Sequence, residues 1–309
     1  MPHTLCVCVT ALCPRIFQGT KPVRGANQLV GQRKACGLSS SIVSQSPVTE
    51  VKASEKKPRP LWRKCLRGAF ILWAATSTGL LINSYRTRGV EPSLLQSNAF
   101  VFVSNDEASI QFIPASPKKS GLIFLSGGGV AAEAYAPLLR PVADAEYSVF
   151  VIKLPFRIAP LESHKLEAID RVHQVIVQHP EITRWVLSGH SLGAALACRI
   201  ARDKRESIAA LVLVGTTHPK SFSLASLSYP VTKIYGSNDG VASPEKIREN
   251  QHLLPSQTKW ILIEGANHSQ FGNYGKQLFD GTATISRNHQ QDITRISLLE
   301  TLGAEANDV

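Results

Sequence analysis

The chain has few cysteines after residue 90 and few acidic residues before it, and each scarcity excludes a class of protein. Of its six cysteines only Cys198 follows residue 90, so that part of the chain cannot form an internal disulfide. No acidic residue precedes Glu50, and residues 1–90 hold two acidic residues against 14 lysines and arginines. Residues 91–309 carry a net charge of −1. The positive charge therefore belongs to the N-terminal part, and the remainder has no electrostatic basis for binding nucleic acid.

Residues 1–60 are basic, contain serine and have little hydrophobic periodicity. A segment of this composition buries too little apolar surface to form a core, which predicts disorder. The same composition is typical of a transit peptide for an organelle such as the chloroplast, with an unstructured tail as the alternative. Cys6, Cys8 and Cys13 lack a second pair at ligand spacing, so we expect no metal site there.

An uncharged run of 18 residues lies between Arg67 and Arg86. This length is at the lower limit of the ~17–25 residues that a membrane-spanning helix needs. Basic residues are more numerous before the run than after it, which predicts the N-terminus on the cytoplasmic, stromal or matrix side. We therefore expect residues 61–90 to form an apolar helix that anchors the chain to a membrane through residues 68–85. A signal segment and a helix packed on the rest of the chain are the alternatives.

From residue 99 onward, short β-type runs alternate with helical runs. This alternation predicts an α/β domain over residues 91–309, with a mostly parallel eight-stranded sheet, helices on both faces and an antiparallel hairpin at its start. The predicted strands are residues 99–104, 109–114, 122–126, 147–152, 185–188, 209–214, 231–235 and 259–263. The main predicted helices are residues 131–142, 162–178, 193–204, 244–254 and 287–302.

Residues 189–193 read Gly-His-Ser-Leu-Gly between an apolar strand and an alanine-rich helix. This is the context in which a G-x-S-x-G motif exposes a nucleophilic serine, here Ser191, on a strained turn. A serine hydroxyl needs a base, and the base needs a carboxylate to orient it. Asp239 and His268 each follow a later predicted strand, in the order that this architecture requires. We therefore predict a Ser191, Asp239 and His268 triad and assign no base role to His190.

The negative charge that develops during acyl transfer needs two N–H donors. Leu192 N–H, at the start of the helix, is the first predicted donor. Gly128, or Gly129 beside it, is the second. Residues 127–132 also match a dinucleotide-binding pattern, which would indicate NADP. That alternative lacks the expected acid at the end of the next strand, where Lys153 stands.

These motifs resemble the α/β-hydrolase superfamily, in particular its compact fold-5 set, over about residues 94–299. The resemblance is carried by residues 121–129, 189–195, 235–240 and 265–275, the last reading Gly-Ala-Asn-His-Ser-Gln-Phe-Gly-Asn-Tyr-Gly. Relatives carry Gly-Asp-Gly where this chain has Phe279, Asp280 and Gly281. The resemblance implies a serine hydrolase that uses neither a cofactor nor a metal.

Residues 215–230 separate two predicted strands at the point where many hydrolases of this fold insert a cap. Sixteen residues are too few for a helical cap domain, so we expect no cap and an open pocket. Its predicted walls are Phe156, Phe222, Tyr229 and Phe271, and Arg157 is interpreted as a solvated loop charge. The expected partner is a small-molecule ester of modest size, with thioesters and amides open to the same chemistry. A non-catalytic binding protein of the same fold is the alternative.

Overall fold

Eight strands form a single sheet in the computed structural model, which describes residues 60–203 and 207–304. All eight predicted strands are present, with bounds shifted by at most a few residues. They are β1 (Val101–Asn105), β2 (Ser109–Pro114), β3 (Ser120–Leu125), β4 (Ser148–Ile152), β5 (Arg184–His190), β6 (Ile208–Val214), β7 (Val231–Gly236) and β8 (Lys259–Ile263).

The strand order is β1-β2-β4-β3-β5-β6-β7-β8. β1 and β2 form an antiparallel hairpin, and β2 pairs antiparallel with β4. All other neighbours are parallel. The predicted fold class is therefore confirmed. Because the carboxyl ends of parallel strands share one edge, the residues that follow β3, β5, β7 and β8 meet there.

The two faces of the sheet form separate hydrophobic cores, as the period-2 alternation of strand side chains requires. On β3, Leu122 and Phe124 belong to one core, whereas Ile123 and Leu125 belong to the other. Helices α2 (Ala136–Asp144) and α6 (Arg287–Gly303) cover the first face. Helices α3 (Glu162–Gln178) and α4 (Leu192–Asp203) cover the second. A short helix, α5 (Pro244–Glu249), precedes β8.

The chain between β3 and β4 contains two helical pieces rather than one. A 3₁₀ turn spans Ala132–Tyr135, and α2 begins at Ala136 with Pro137 in its first turn. Proline suits this position because its missing N–H has no helical acceptor there. The predicted helix over residues 131–142 is thus divided where Pro137 indicated a restart.

The predicted membrane anchor is wrong. A helix α1 (Leu61–Tyr85) does form, with 25 residues. Within the described residues, however, no helix combines the length and the apolarity that crossing a membrane requires. Arg63, Lys64 and Arg67 lie inside α1, and three consecutive hydroxyl residues at 76–78 further reduce its mean hydropathy. The membrane association through residues 68–85 and the membrane location inferred from it are therefore withdrawn. The predictions for residues 1–59 lie outside the described residues.

Candidate active site

Ser191 lies on a strained turn between the end of β5 and the start of α4. Its φ is +54°, a left-handed value that is uncommon for a residue with a side chain. Its N–H donates to the Val214 carbonyl at 3.0 Å, and its own carbonyl accepts from Ala195 N–H at 3.1 Å. These two bonds hold the strained backbone in place. The half-buried Ser191 is thus presented at the carboxyl edge of the sheet.

The two glycines of the motif are required by close backbone approach. A Cβ on Gly193 would lie 2.1 Å from the Leu125 carbonyl oxygen, and one on Gly189 would lie 2.6 Å from the Gly193 carbonyl carbon. Neither position has room for a methyl group. The spacing of the motif therefore reflects a direct contact of α4 with β3 and β5.

Asp239 and His268 are brought together although 29 residues separate them. Asp239 Oδ2 lies 2.8 Å from His268 Nδ1, and both side chains are fully buried. Asp239 Oδ1 accepts from the N–H groups of Val241 at 2.9 Å and Ala242 at 2.6 Å. Because a carboxylate only accepts, Nδ1 is the nitrogen that carries the hydrogen. His268 Nε2 is then free to accept a proton.

The link between the serine and the histidine is open in this structure. Within the described residues, His268 Nε2 is buried without a hydrogen-bond partner, so it does not bond the Ser191 hydroxyl. Catalytic hydrogen bonds are often long in ligand-free enzymes and tighten when substrate binds. The arrangement thus provides an oriented base beside the serine turn, with its accepting nitrogen unoccupied.

Two backbone N–H groups are available where the oxyanion donors are predicted. Leu192 N–H is the first of α4 and has no acceptor within the helix. Gly128 N–H makes no hydrogen bond to any described residue. A Cβ on Gly128 would lie 3.1 Å from the Leu192 side chain, so the two residues are in contact. Gly129 differs, because its N–H donates to the Arg157 carbonyl at 2.7 Å.

The same loop gives no support to the dinucleotide alternative. Gly127 N–H donates to Tyr135 Oη at 2.9 Å, and Gly129 N–H is committed to Arg157. A pyrophosphate site would need such N–H groups to face the ligand. Lys153 Nζ, in the place of the expected acid, donates to Asn105 Oδ1 and to the Asp106 carbonyl.

Asp280 is a component of the site that sequence reasoning missed. Its Oδ1 accepts from His268 N–H at 3.0 Å and, more weakly, from Gly240 N–H at 3.4 Å. Its Oδ2 accepts from Ser269 N–H at 2.8 Å and from Ser269 Oγ at 2.6 Å. One buried carboxylate therefore joins the loop of the base to the loop of the acid. The signal was the Asp-Gly step at 280–281, which this chain shares with the Gly-Asp-Gly of the relatives although it departs from them at Phe279.

Of the four predicted pocket residues, Phe156 lines a pocket at the carboxyl edge of the described structure. That pocket has a volume of about 270 Å³ and is formed by the residues after the glycine loop and after β4. Phe156 is largely exposed at its rim. Lys153, Arg157 and Arg171 are its basic lining residues, and Glu107 and Glu133 its acidic ones.

The other three predicted wall residues are placed elsewhere. Phe271 is fully buried in the core under His190, with their ring centroids 5.6 Å apart. Phe222 lies under Arg202, ~15 Å along α4 from the serine turn at 1.5 Å per residue. Tyr229 directly precedes Pro230, whose carbonyl accepts from Leu211 N–H near the amino ends of β6 and β7. Residues 215–230 contain no helix or strand, and they run to the opposite edge of the sheet.

The fold and the serine turn define the class, and sequence comparison identifies the family. A family model described as "Alpha/beta hydrolase family" matches residues 121–292. The chain therefore belongs to the α/β hydrolase family. A search of curated proteins gave no match.

Solved structures agree with this fold. A CIB-like hydrolase from Thermoplasma acidophilum is 13% identical, with 65% of this chain and 99% of that chain covered and a TM-score of 0.51. The Fe-lacking apo form of ESTFA is 16% identical, with 72% of this chain and 89% of that chain covered and a TM-score of 0.50. At these identities the likeness concerns the fold.

Proposed function

We propose that this chain is a serine hydrolase that cleaves a small carboxylic ester through an acyl-enzyme on Ser191. The observation that carries the proposal is the buried hydrogen bond of 2.8 Å between Asp239 and His268. It supports the tautomer of His268 in which Nδ1 carries the hydrogen and Nε2 is the accepting nitrogen. The domain that carries this activity is proposed to span residues 91–309.

In the proposed reaction, Ser191 Oγ attacks the carbonyl carbon of the ester while its proton passes to His268 Nε2. The π pair of the carbonyl moves to its oxygen, which Leu192 N–H and Gly128 N–H stabilise. Asp239 holds the imidazolium that results. Collapse of the intermediate breaks the bond to the leaving alcohol, which takes the proton from His268. Water then repeats the sequence and releases the acid and free Ser191.

The pocket beside the glycine loop is the proposed site for part of the substrate. Its volume of about 270 Å³ corresponds to about nine waters at ~30 Å³ each, which suits a small group. Val130 and Ala131, which follow the glycines directly, line it together with Leu154 and Phe156. A thioester or an amide would react through the same three residues and the same two N–H donors. Assays with substrates that differ in the leaving group therefore decide among the three classes.

The test is labelling of the purified full chain by a fluorophosphonate, together with turnover of a p-nitrophenyl ester series. Ser191→Ala is expected to abolish both. Ser188→Ala is the matched control. Ser188 is fully buried on β5, the strand that leads to Ser191, and its hydroxyl has no hydrogen-bond partner in the described structure. This control should retain labelling and turnover.

The second candidate is a non-catalytic binding protein of this fold. The observation that favours it is the unpartnered His268 Nε2, which leaves Ser191 without its base in this structure. A folded wild-type chain that neither labels nor hydrolyses any ester of the series would exclude the enzyme and support this candidate.

A further inference from the structure

A hydrogen-bonded pair beside the candidate site takes no part in the proposed proton transfer. Tyr135 Oη accepts from Gly127 N–H at 2.9 Å and lies 2.9 Å from His190 Nδ1. Tyr135 and His190 are both fully buried. Tyr135 ends the segment that follows the glycine loop, and His190 directly precedes Ser191. The pair therefore joins the chain after β3 to the last residue of β5, 55 residues apart in sequence.

The direction of these bonds follows from the donors available. Tyr135 Oη accepts from Gly127 N–H, and within the described residues His190 Nδ1 is the acceptor in reach of its own hydrogen. We therefore assign the O–H to donate to an unprotonated Nδ1. Burial, and next the charge of His268, hold the pKa of His190 well below its usual range. Burial also raises the pKa of Tyr135. Both groups are therefore neutral near pH 7.

The pair adjoins both segments that carry the candidate oxyanion donors. Gly128 follows Gly127 on one side, and Leu192 is two residues after His190 on the other. A Cβ on Gly127 would lie 2.8 Å from both His190 Nδ1 and Tyr135 Oη. The contact of Tyr135 with His190 is therefore compatible only with glycine at position 127.

His190 also supports the ring of the candidate base. The centroids of His190 and His268 are 4.5 Å apart, with 44° between the ring planes. A positive charge on His190 at this distance would oppose protonation of His268, which the proposed reaction requires. A neutral ring supports His268 without that repulsion.

We propose that Tyr135 and His190 are positioning residues that set the distance between the two oxyanion donors, Gly128 N–H and Leu192 N–H. This inference rests on the proposed function, because it assigns the pair a role in stabilising the oxyanion of that reaction. Neither residue touches the substrate.

The first test is Tyr135→Phe, which keeps the ring and removes the hydroxyl. Misplacement of one donor is expected to lower kcat by about 10–100-fold with KM unchanged. A trifluoromethyl ketone is the probe, because Ser191 adds to its carbonyl and the resulting oxyanion occupies the same donors. Its Ki should rise by the same factor by which kcat falls. Tyr147→Phe, at the amino end of β4, is the control and should behave as wild type.

The second test uses two variants of His190. His190→Asn places an amide oxygen near the position of Nδ1 and keeps an acceptor for Tyr135. His190→Leu removes the acceptor. We expect the asparagine variant to retain kcat within about fivefold and the leucine variant to match Tyr135→Phe. If His190 acted through packing alone, the asparagine variant would not retain a higher kcat than the leucine variant.

The outcomes separate the two proposals. A folded wild-type chain that neither labels nor turns over removes the proposed function and this inference with it. An active wild type with unchanged kcat and Ki in Tyr135→Phe overturns the inference alone. So does a fall in kcat without a matching rise in Ki. If Tyr135→Phe does not fold, equal kcat in the two His190 variants overturns the inference, and the expected difference supports it.

Discussion

The carboxylate of Asp280 offers a direct measure of how strongly the base is held. In Asp280→Asn, one acceptor oxygen becomes an NH₂ group that faces backbone or hydroxyl donors. If Oδ2 is replaced, the two bonds from Ser269 at 2.8 and 2.6 Å are lost, and if Oδ1 is replaced, the bond from His268 N–H at 3.0 Å is lost. Each charge-assisted bond contributes about 1.5–3 kcal/mol. The Ser269 hydroxyl can rotate to accept from the new amide, which offsets part of the loss.

The expected result is a decrease of about 2–4 kcal/mol in the free energy of unfolding, measured by urea denaturation. Because either replacement loosens the segment that carries His268 and Ser269, kcat for an activated ester should also fall about 10–100-fold. Asp170→Asn is the control. Asp170 is exposed on α3 and accepts from Gln174, so its change should stay within about 0.5 kcal/mol. An Asp280→Asn variant with wild-type stability and wild-type kcat would refute the assigned role of this carboxylate.

Two further predictions follow from packing and from pH. Gly193→Ala places a methyl group 2.1 Å from the Leu125 carbonyl oxygen and should lower the free energy of unfolding by about 3 kcal/mol. Gly68→Ala is the control, because Gly68 lies in open space on α1 and the change should not destabilise the fold. Equal melting temperatures for the two variants would contradict the close contact. The folded pKa of His190 lies below its unfolded value of ~6.5, so the unfolded state binds the proton first and stability is lost as the pH falls below ~6.5. The expected slope is about 1.4 kcal/mol per pH unit. The pKa of His218, which burial lowers to about 4, adds in the same direction. Denaturation curves from pH 8 to pH 5 measure this slope, and His190→Asn should reduce it.

The fold was predictable because it depends on local patterns, and the same patterns are the basis of the triad, which stays a prediction. Strand runs such as residues 259–263 are apolar and bounded by turns, and the parallel order then brings their carboxyl ends together. Ser191, Asp239 and His268 each follow such a strand, so topology alone makes them neighbours. Structure adds the contact between Asp239 and His268, which no spacing could specify.

The missed features depend on contacts that are distant in sequence. In sequence, Asp280 is an ordinary aspartate before a glycine, as in many turns. Its role becomes visible only from the four groups that donate hydrogen bonds to its carboxylate. Phe222 and Tyr229 were placed in the pocket because the course of residues 215–230 has no sequence signature. The anchor prediction was wrong for a different reason. The uncharged run in α1 has the length of a short membrane span but not the mean hydropathy.

At Arg157, the backbone and the side chain have different roles. The backbone carbonyl accepts the bond from Gly129 N–H, and the side chain is not needed for that bond. The bond uses the carbonyl of Arg157, whereas its exposed side chain makes no ion pair in the described structure and reaches the pocket. Replacements at 157 can therefore change the charge and size that a substrate meets while the glycine loop keeps its tether. The φ of +61° limits the choice, since it favours glycine and asparagine over β-branched residues. We therefore expect the substrate range of the proposed hydrolase to diverge at Arg157 without change to the proposed oxyanion donors.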